Sequence, residues 1–176
     1  MKWPAVLFLI AILLTLVLGV FGEYASVMND KMVLNAALRN STRAARNNSI
    51  NIWHLMELDA YIDEQRFIFE FSRAFADSLD LTPAIDFDNN KVVFTNSGDR
   101  FNPITVEIEL YNTTYDELDD NRLGITVYHD RPVTVMTARM ETPYRFKTHW
   151  LALANGVSNE DYLLISEHTF LIQIIN

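Results

Sequence analysis

Nineteen consecutive residues near the start of the chain, WPAVLFLIAILLTLVLGVF at 3–21, carry no charge and a single ordinary polar side chain, Thr15. As a helix the run is about 28 Å long, close to the roughly 30 Å of hydrocarbon in a bilayer. Lys2 precedes it and Glu23 follows it closely. The run therefore predicts an uncleaved membrane anchor over residues 1–22. The competing reading is a secretory signal cut after Gly22, with Val20-Phe21-Gly22 as the small-residue site. Two features favour the anchor. The basic n-region is only Met1-Lys2, and apolar residues recur in a helical pattern beyond the run, at Tyr24, Val27, Met28, Met32, Leu34, Ala36, Ala37 and Leu38. Lys2 places the N-terminus on the cytoplasmic side and the remainder outside.

The chain has 176 residues and a formal net charge of -9; setting aside the positive charge of Lys2 leaves -10 for the rest. That acidity argues against nucleic acid as a partner, and against a domain that lies on anionic lipid. There is no cysteine, so disulfides, thiolate nucleophiles and Cys-ligated zinc are excluded.

No Pro or Gly interrupts residues 23–46, and one helix is predicted from Trp3 to Arg46, with residues 23–47 as an amphipathic extension of the anchor. Two sets of residues on it are candidate contacts. Gly19 and Gly22 lie three apart on one face, where small side chains let helices approach in lipid. Met28, with Val27 and Leu34, forms an apolar stripe. Arg39, Arg43 and Arg46 form a basic stripe near the helix C-terminus, a placement that also suits the helix dipole. The plain reading of the arginines is a solvated face; the sharper one is a docking strip for an acidic partner or sister subunit.

Residues 48–176 are expected to form a helix-plus-sheet head. Asn47-Asn48-Ser49 reads as a break and Asn51 as the N-cap of a second helix over residues 52–79. The expected buried stripe runs through Leu55, Leu58, Tyr61, Ile62, Ile68, Phe69, Phe75, Ala76 and Leu79. Phe67, Phe71 and Trp53 fall off it and suggest contact on a second side, with the chain's own core or with a partner, and Leu81-Thr82-Pro83 reads as the end of the helix. From Ala84 the period becomes two. Residues 84–88 and 91–95 flank Asn89-Asn90 as a tight hairpin. Residues 104–111 (ITVEIELY) alternate apolar and polar, predicting a half-buried strand with a wet acidic face. Residues 113–121 read as an acidic loop, 124–128 and 132–140 as strands, 142–156 as short helix or loop, and 167–175 as a closing strand. About six strands without βαβ spacing predict an α+β fold with an antiparallel sheet.

Catalytic patterns are missing from the sequence. Asp86-Phe-Asp88-Asn-Asn90 opens like a calcium loop, but Lys91 and Ser97 stand where Gly and Glu are needed, so turn chemistry accounts for it. Glu117, Asp119 and Asp120 read as a solvated loop. His54, His129, His149 and His168 sit singly, and no GxSxG, P-loop or GxGxxG occurs. No enzyme, cofactor or metal site is expected. Asn40, Asn47 and Asn112 begin glycosylation sequons, as chance allows in an Asn-rich chain.

The layout of apolar helix, amphipathic continuation and β-rich head is similar to that of pilin-like proteins. The stretch GEYASVMNDKMVLNAALRNSTRAA at 22–45, within a match over about residues 16–46, resembles the TadE/TadG-like pseudopilins of tight-adherence pili, with an apolar segment, a Glu, an aromatic, and an Asn/Ala-rich run with Ala-Ala and Arg. Met1-Lys2-Trp3-Pro4-Ala5 lacks the Gly and Glu of a prepilin processing site, which implies either a member that prepilin peptidase does not cut or a divergent branch. The resemblance implies a non-catalytic, single-pass envelope protein that assembles with other pilin-like subunits, as a possible homo-oligomer, in a surface pilus or secretion apparatus. The alternatives are an anchored ligand- or peptide-binding ectodomain, marked by an aromatic-lined concavity, and a secreted protein released after Gly22.

Overall fold

One helix of 47 residues, α1 (Trp3–Ser49), forms the axis of the molecule. It belongs to a computed structural model that describes residues 3–49, 62–96, 100–114, 132–147 and 162–172. At 1.5 Å per residue α1 is about 70 Å long. Pro4 sits in its first turn, where a missing N–H costs nothing. The helix runs three residues past the expected end at Arg46. Asn47 and Asn48 do not cap it, because their side chains are engaged sideways: Asn47 Oδ1 accepts from Arg46, and Asn48 Nδ2 donates to Glu70 Oε2 at 3.3 Å. The Ser49 hydroxyl donates back to the Ala45 carbonyl.

The second helix, α2 (Glu64–Leu79), is capped by Asp63, whose side chain accepts from the Arg66 N–H at 3.1 Å. The predicted cap at Asn51 lies outside the described residues. Of the predicted stripe, Ile62, Ile68, Phe75 and Ala76 are buried, and Phe69 is corrected. Phe67, Phe71 and Phe75 are fully buried, whereas Phe69 is 52% exposed. Spacing of four residues carries these three rings along one face, which sets the phase and turns Phe69 outward. The helix ends at Leu79, as expected; its C-cap Asp80 lies in the left-handed region at φ 55°, and Pro83 lies inside the next strand.

Five strands follow among the described residues: β1 (Leu81–Asp86), β2 (Lys91–Asn96), β3 (Ile104–Thr114), β4 (Pro132–Pro143) and β5 (Leu163–Ile172). They form an antiparallel meander in the order β1-β2-β3-β4-β5. Pro83 is tolerated because β1 is an edge strand. The hairpin turn is four residues, 87–90, one pair longer than expected, since Asp86 pairs with Lys91. Asp86 organises it: its carboxylate accepts from the Asp88 N–H at 3.1 Å and the Asn89 amide at 2.8 Å. The Asn89 bond is the main reason the Asp86 carboxyl titrates below its ordinary value. Asn90, at φ 51°, closes the turn and donates to Glu64 Oε1 of α2. β5 begins at Leu163, earlier than read from the sequence. The expected strand at 124–128 lies outside the described residues.

Both helices cover one face of the sheet. Leu34, Ala37, Leu38 and Ala45 of α1, and Phe67, Ile68, Phe71 and Phe75 of α2, meet Val92, Phe94, Ile104, Val106, Ile108, Met136, Ala138 and Met140. Phe94 stands against Phe75 at 4.7 Å between ring centroids. The opposite face shows the alternation expected of β3, with Glu107 and Glu109 exposed. In register, Glu107, Arg139 and Glu167 lie in a row across β3, β4 and β5. The fold is α+β, with a long N-terminal helix, a second helix and an antiparallel sheet.

Candidate functional site

α1 passes through two environments, and the boundary falls at Glu23. Before it, no residue from 3 to 22 is buried. By length and composition this helix is long and apolar enough to cross a membrane. Its one polar side chain needs no outside partner: the Thr15 hydroxyl donates to the Ala11 carbonyl at 2.8 Å, inside the helix. Gly19 and Gly22 lie in this free stretch. A Cβ added at Gly22 would meet open space, so no neighbour in the fold requires glycine there.

From Glu23 onward, one face of the helix is buried at Glu23, Asp30, Leu34, Ala37, Leu38, Ser41, Thr42, Ala45 and Ser49. The first two are carboxylates, only 7% and 4% exposed. They lie seven residues apart, on the same side two turns along. The segment 144–147 leaving β4 spans them. Tyr144 Oη donates to Glu23 Oε1 at 2.6 Å, the Lys147 N–H donates to the same oxygen at 2.9 Å, and Lys147 Nζ reaches Asp30 Oδ2 at 3.1 Å. Burial, and then the Glu23 carboxylate, push the Tyr144 phenol well above its ordinary value, so it stays a donor. Breaking such a contact strands a buried group, which costs more than the contact is worth when intact. This latch fixes the head to the helix at the edge of the apolar stretch.

The expected stripe of α1 separates into two faces. Leu34, Ala37 and Leu38 go into the core, while Tyr24, Met28 and Met32 remain exposed, Met28 at 45%. Arg39 and Arg43 are exposed and Arg46 is half-buried, with its guanidinium on Asn47 Oδ1. Arg39 lines an open cleft of about 400 Å³ between α1 and β5, with Lys31, Asn35, Ser166, Glu167 and His168. Ser166 Oγ donates to Asn35 Oδ1 across it. Burial, with Arg39 and Arg43 nearby, holds the His168 imidazole below its ordinary range. Leu38 and Ile165 complete a lining that is mostly polar and charged. His54, His129, His149 and the acidic residues 117–120 lie outside the described residues.

Sequence reasoning took Glu23 as a flanking charge and passed over Asp30. The only local signal was two acids at heptad spacing in an Ala-, Leu- and Met-rich helix. Their partners lie 117 to 124 residues away, beyond any local pattern. No protein-family model matches the chain, and no curated protein or solved structure matches it.

Proposed function

We propose that the protein is a non-catalytic, single-pass membrane protein of pilin-like build that takes part in assembling a surface filament or secretion apparatus. α1 serves as anchor and as contact surface, with the N-terminus cytoplasmic and the head outside. One observation carries this reading: on a single uninterrupted helix, none of residues 3–22 is buried among the described residues, and the buried face beyond Glu23 leaves Tyr24, Met28 and Met32 exposed on the other side. The resemblance of residues 22–45 to TadE/TadG-like pseudopilins supplies the class. In a neighbour contact, the exposed Met and Tyr side chains provide the apolar area. Arg39 and Arg43 set register, since exposed ion pairs are worth only about 0–1 kcal/mol each.

Because the chain has no cysteine, single-cysteine variants report on one position. Met28→Cys in the full-length, membrane-resident protein is expected to form a disulfide-linked pair under mild oxidation, while Asp88→Cys at the far hairpin is not. A Met28→Cys protein that stays in the membrane fraction yet remains monomeric would overturn the contact surface.

A further inference from the structure

The cleft between α1 and β5 carries both signs of charge side by side. On its helix side, Met28, Asn35 and Arg39 follow at intervals of seven and four residues and share one face of α1, with Lys31 one turn beyond Met28. On its strand side stand Ile165, Ser166 and Glu167. Successive side chains of a strand point to opposite sides. Ser166 turns inward and donates to Asn35, whereas Ile165 and Glu167 turn to the outer side of β5 and are exposed. Among the described residues no ion pair or hydrogen bond engages Lys31, Arg39 or Glu167. Arg139, in register with Glu167 on β4, is paired with Glu141 at 2.7 Å. Asp30, next to Lys31, is buried and holds Lys147. Lys31 and Arg39 lie in the interior of α1, and Glu167 in the interior of β5.

We propose that this cleft is a two-fold contact between two copies of the chain, with Arg39 of one protomer opposite Glu167 of the partner subunit and the reverse. The proposal rests on the membrane reading above and names the surface through which the chain meets its own kind. Copies anchored by α1 share depth and direction, so a two-fold axis between them runs along the membrane normal. Rotation about that axis exchanges the two flanks of a patch and keeps their level. Arg39 and Glu167 line the same cleft, one on the helix flank and one on the strand flank. Two such clefts face to face therefore set a cation against a carboxylate on both flanks, which is the self-complementarity that a two-fold contact requires. A patch of one sign would repel its copy. The apolar part is continuous with this patch. Met28 and Met32, both exposed, adjoin Lys31 and Asn35 toward the anchor and lie beside the axis, and Ile165 is 43% exposed on the strand flank. These side chains supply the buried area, while the charges select partner and orientation. The net charge of -9 on each copy does not forbid the contact, because charges beyond a screening length of about 8–10 Å are weakly felt. The contact closes on itself, so growth beyond a pair uses other surfaces.

The test uses the full chain extracted into detergent from carbonate-washed membranes, with a fluorophore on Asp88→Cys to follow its mass by sedimentation equilibrium. The chain is expected to form dimers that weaken several-fold from low to high salt. Arg39→Glu alone and Glu167→Arg alone are each expected to weaken self-association several-fold. Mixed together, the two variants are expected to pair with each other as tightly as the unmodified chain, because each flank of the mixed pair again sets a cation against a carboxylate. A charge pair within one chain would give no such rescue on mixing. Variants that stay monomeric when mixed overturn the pairing of Arg39 with Glu167. Dimers insensitive to salt and to either reversal overturn the cleft contact and leave the Met28 surface standing. Mixed species larger than dimers overturn the two-fold closure. Protein absent from the washed membranes overturns the anchor reading itself. Where a reversal variant fails to melt cooperatively, Arg39→Gln and Glu167→Gln take its place, each expected to weaken the dimer and to reduce its salt dependence; unchanged dimers in both overturn the contact.

Discussion

The two halves of α1 are the same backbone in different surroundings. Residues 3–22 and Glu23–Ser49 form one unbroken helix, yet the first half buries nothing and the second buries a face of nine residues. Helix propensity does not separate them, since both halves are rich in good helix formers. What separates them is the supply of polar groups and the partners those groups find. The first half holds one hydroxyl, satisfied within the helix. The second half meets the head first through two buried carboxylates, and only then through Leu34 and Leu38. On the proposed membrane reading, the helix passes from lipid into a protein core without a break, and its first contacts past the boundary are polar and matched.

Substitutions sharpen the comparison, beginning with the largest effect. Leu38→Ala removes a fully buried side chain and is expected to destabilise the head by about 2–5 kcal/mol. Leu14→Ala, the same change in the free half, should leave the melting of the head unchanged in detergent. Equal losses would mean that the first half packs on the head. Glu23→Ala strands the Tyr144 hydroxyl and the Lys147 N–H, at a cost of about 2–3 kcal/mol. Glu23→Gln keeps an acceptor and should cost less. Amide exchange at Lys147 should quicken in the Ala variant before exchange in the β4 core does; uniform quickening would count against a local latch.

Smaller effects are expected on the exposed face. Met28→Asp should leave the melting temperature of the full chain in detergent within error while weakening association in membranes at any salt. A lowered melting temperature would place Met28 in the core. Arg43→Glu should weaken association modestly, and more at low salt than at high. The smallest effect concerns His168. Its folded-state pKa is lowered, so the neutral ring is favoured in the fold. Its contribution is full above the unfolded value of about 6.5 and is lost as pH falls below it. His168→Asn should flatten the loss of stability measured between neutral and mildly acidic pH; an unchanged slope would show that the imidazole titrates freely.

Elements whose signal is local were legible. The alternation of residues 104–111 shows which side chains of β3 meet the helices, and the absence of breakers after Gly22 carries α1 as a single helix. The hairpin was visible in Asp86, Asn89 and Asn90, although the turn takes four residues. On α2 the stripe drawn across 52–79 holds at Ile62, Ile68, Phe75 and Ala76 and fails at Phe69, while Phe67 and Phe71, set on a second side, are buried in the chain's own core. Only Phe94 and the packed sheet decide which phenylalanines face inward. The latch was beyond reach for a different reason. Glu23 looks like any charge that ends an apolar run until Tyr144 and Lys147, more than a hundred residues later, are brought against it.

The central claim is that residues 3–22 remain attached and hold the protein in a membrane. The direct measurement is the intact mass of protein recovered from the membrane fraction after high-salt and alkaline carbonate washes. The account predicts a washed membrane pellet containing the protein with residues 3–22 still present, because about 19 apolar residues retain it independently of surface charge. A soluble product beginning at Glu23 would contradict it.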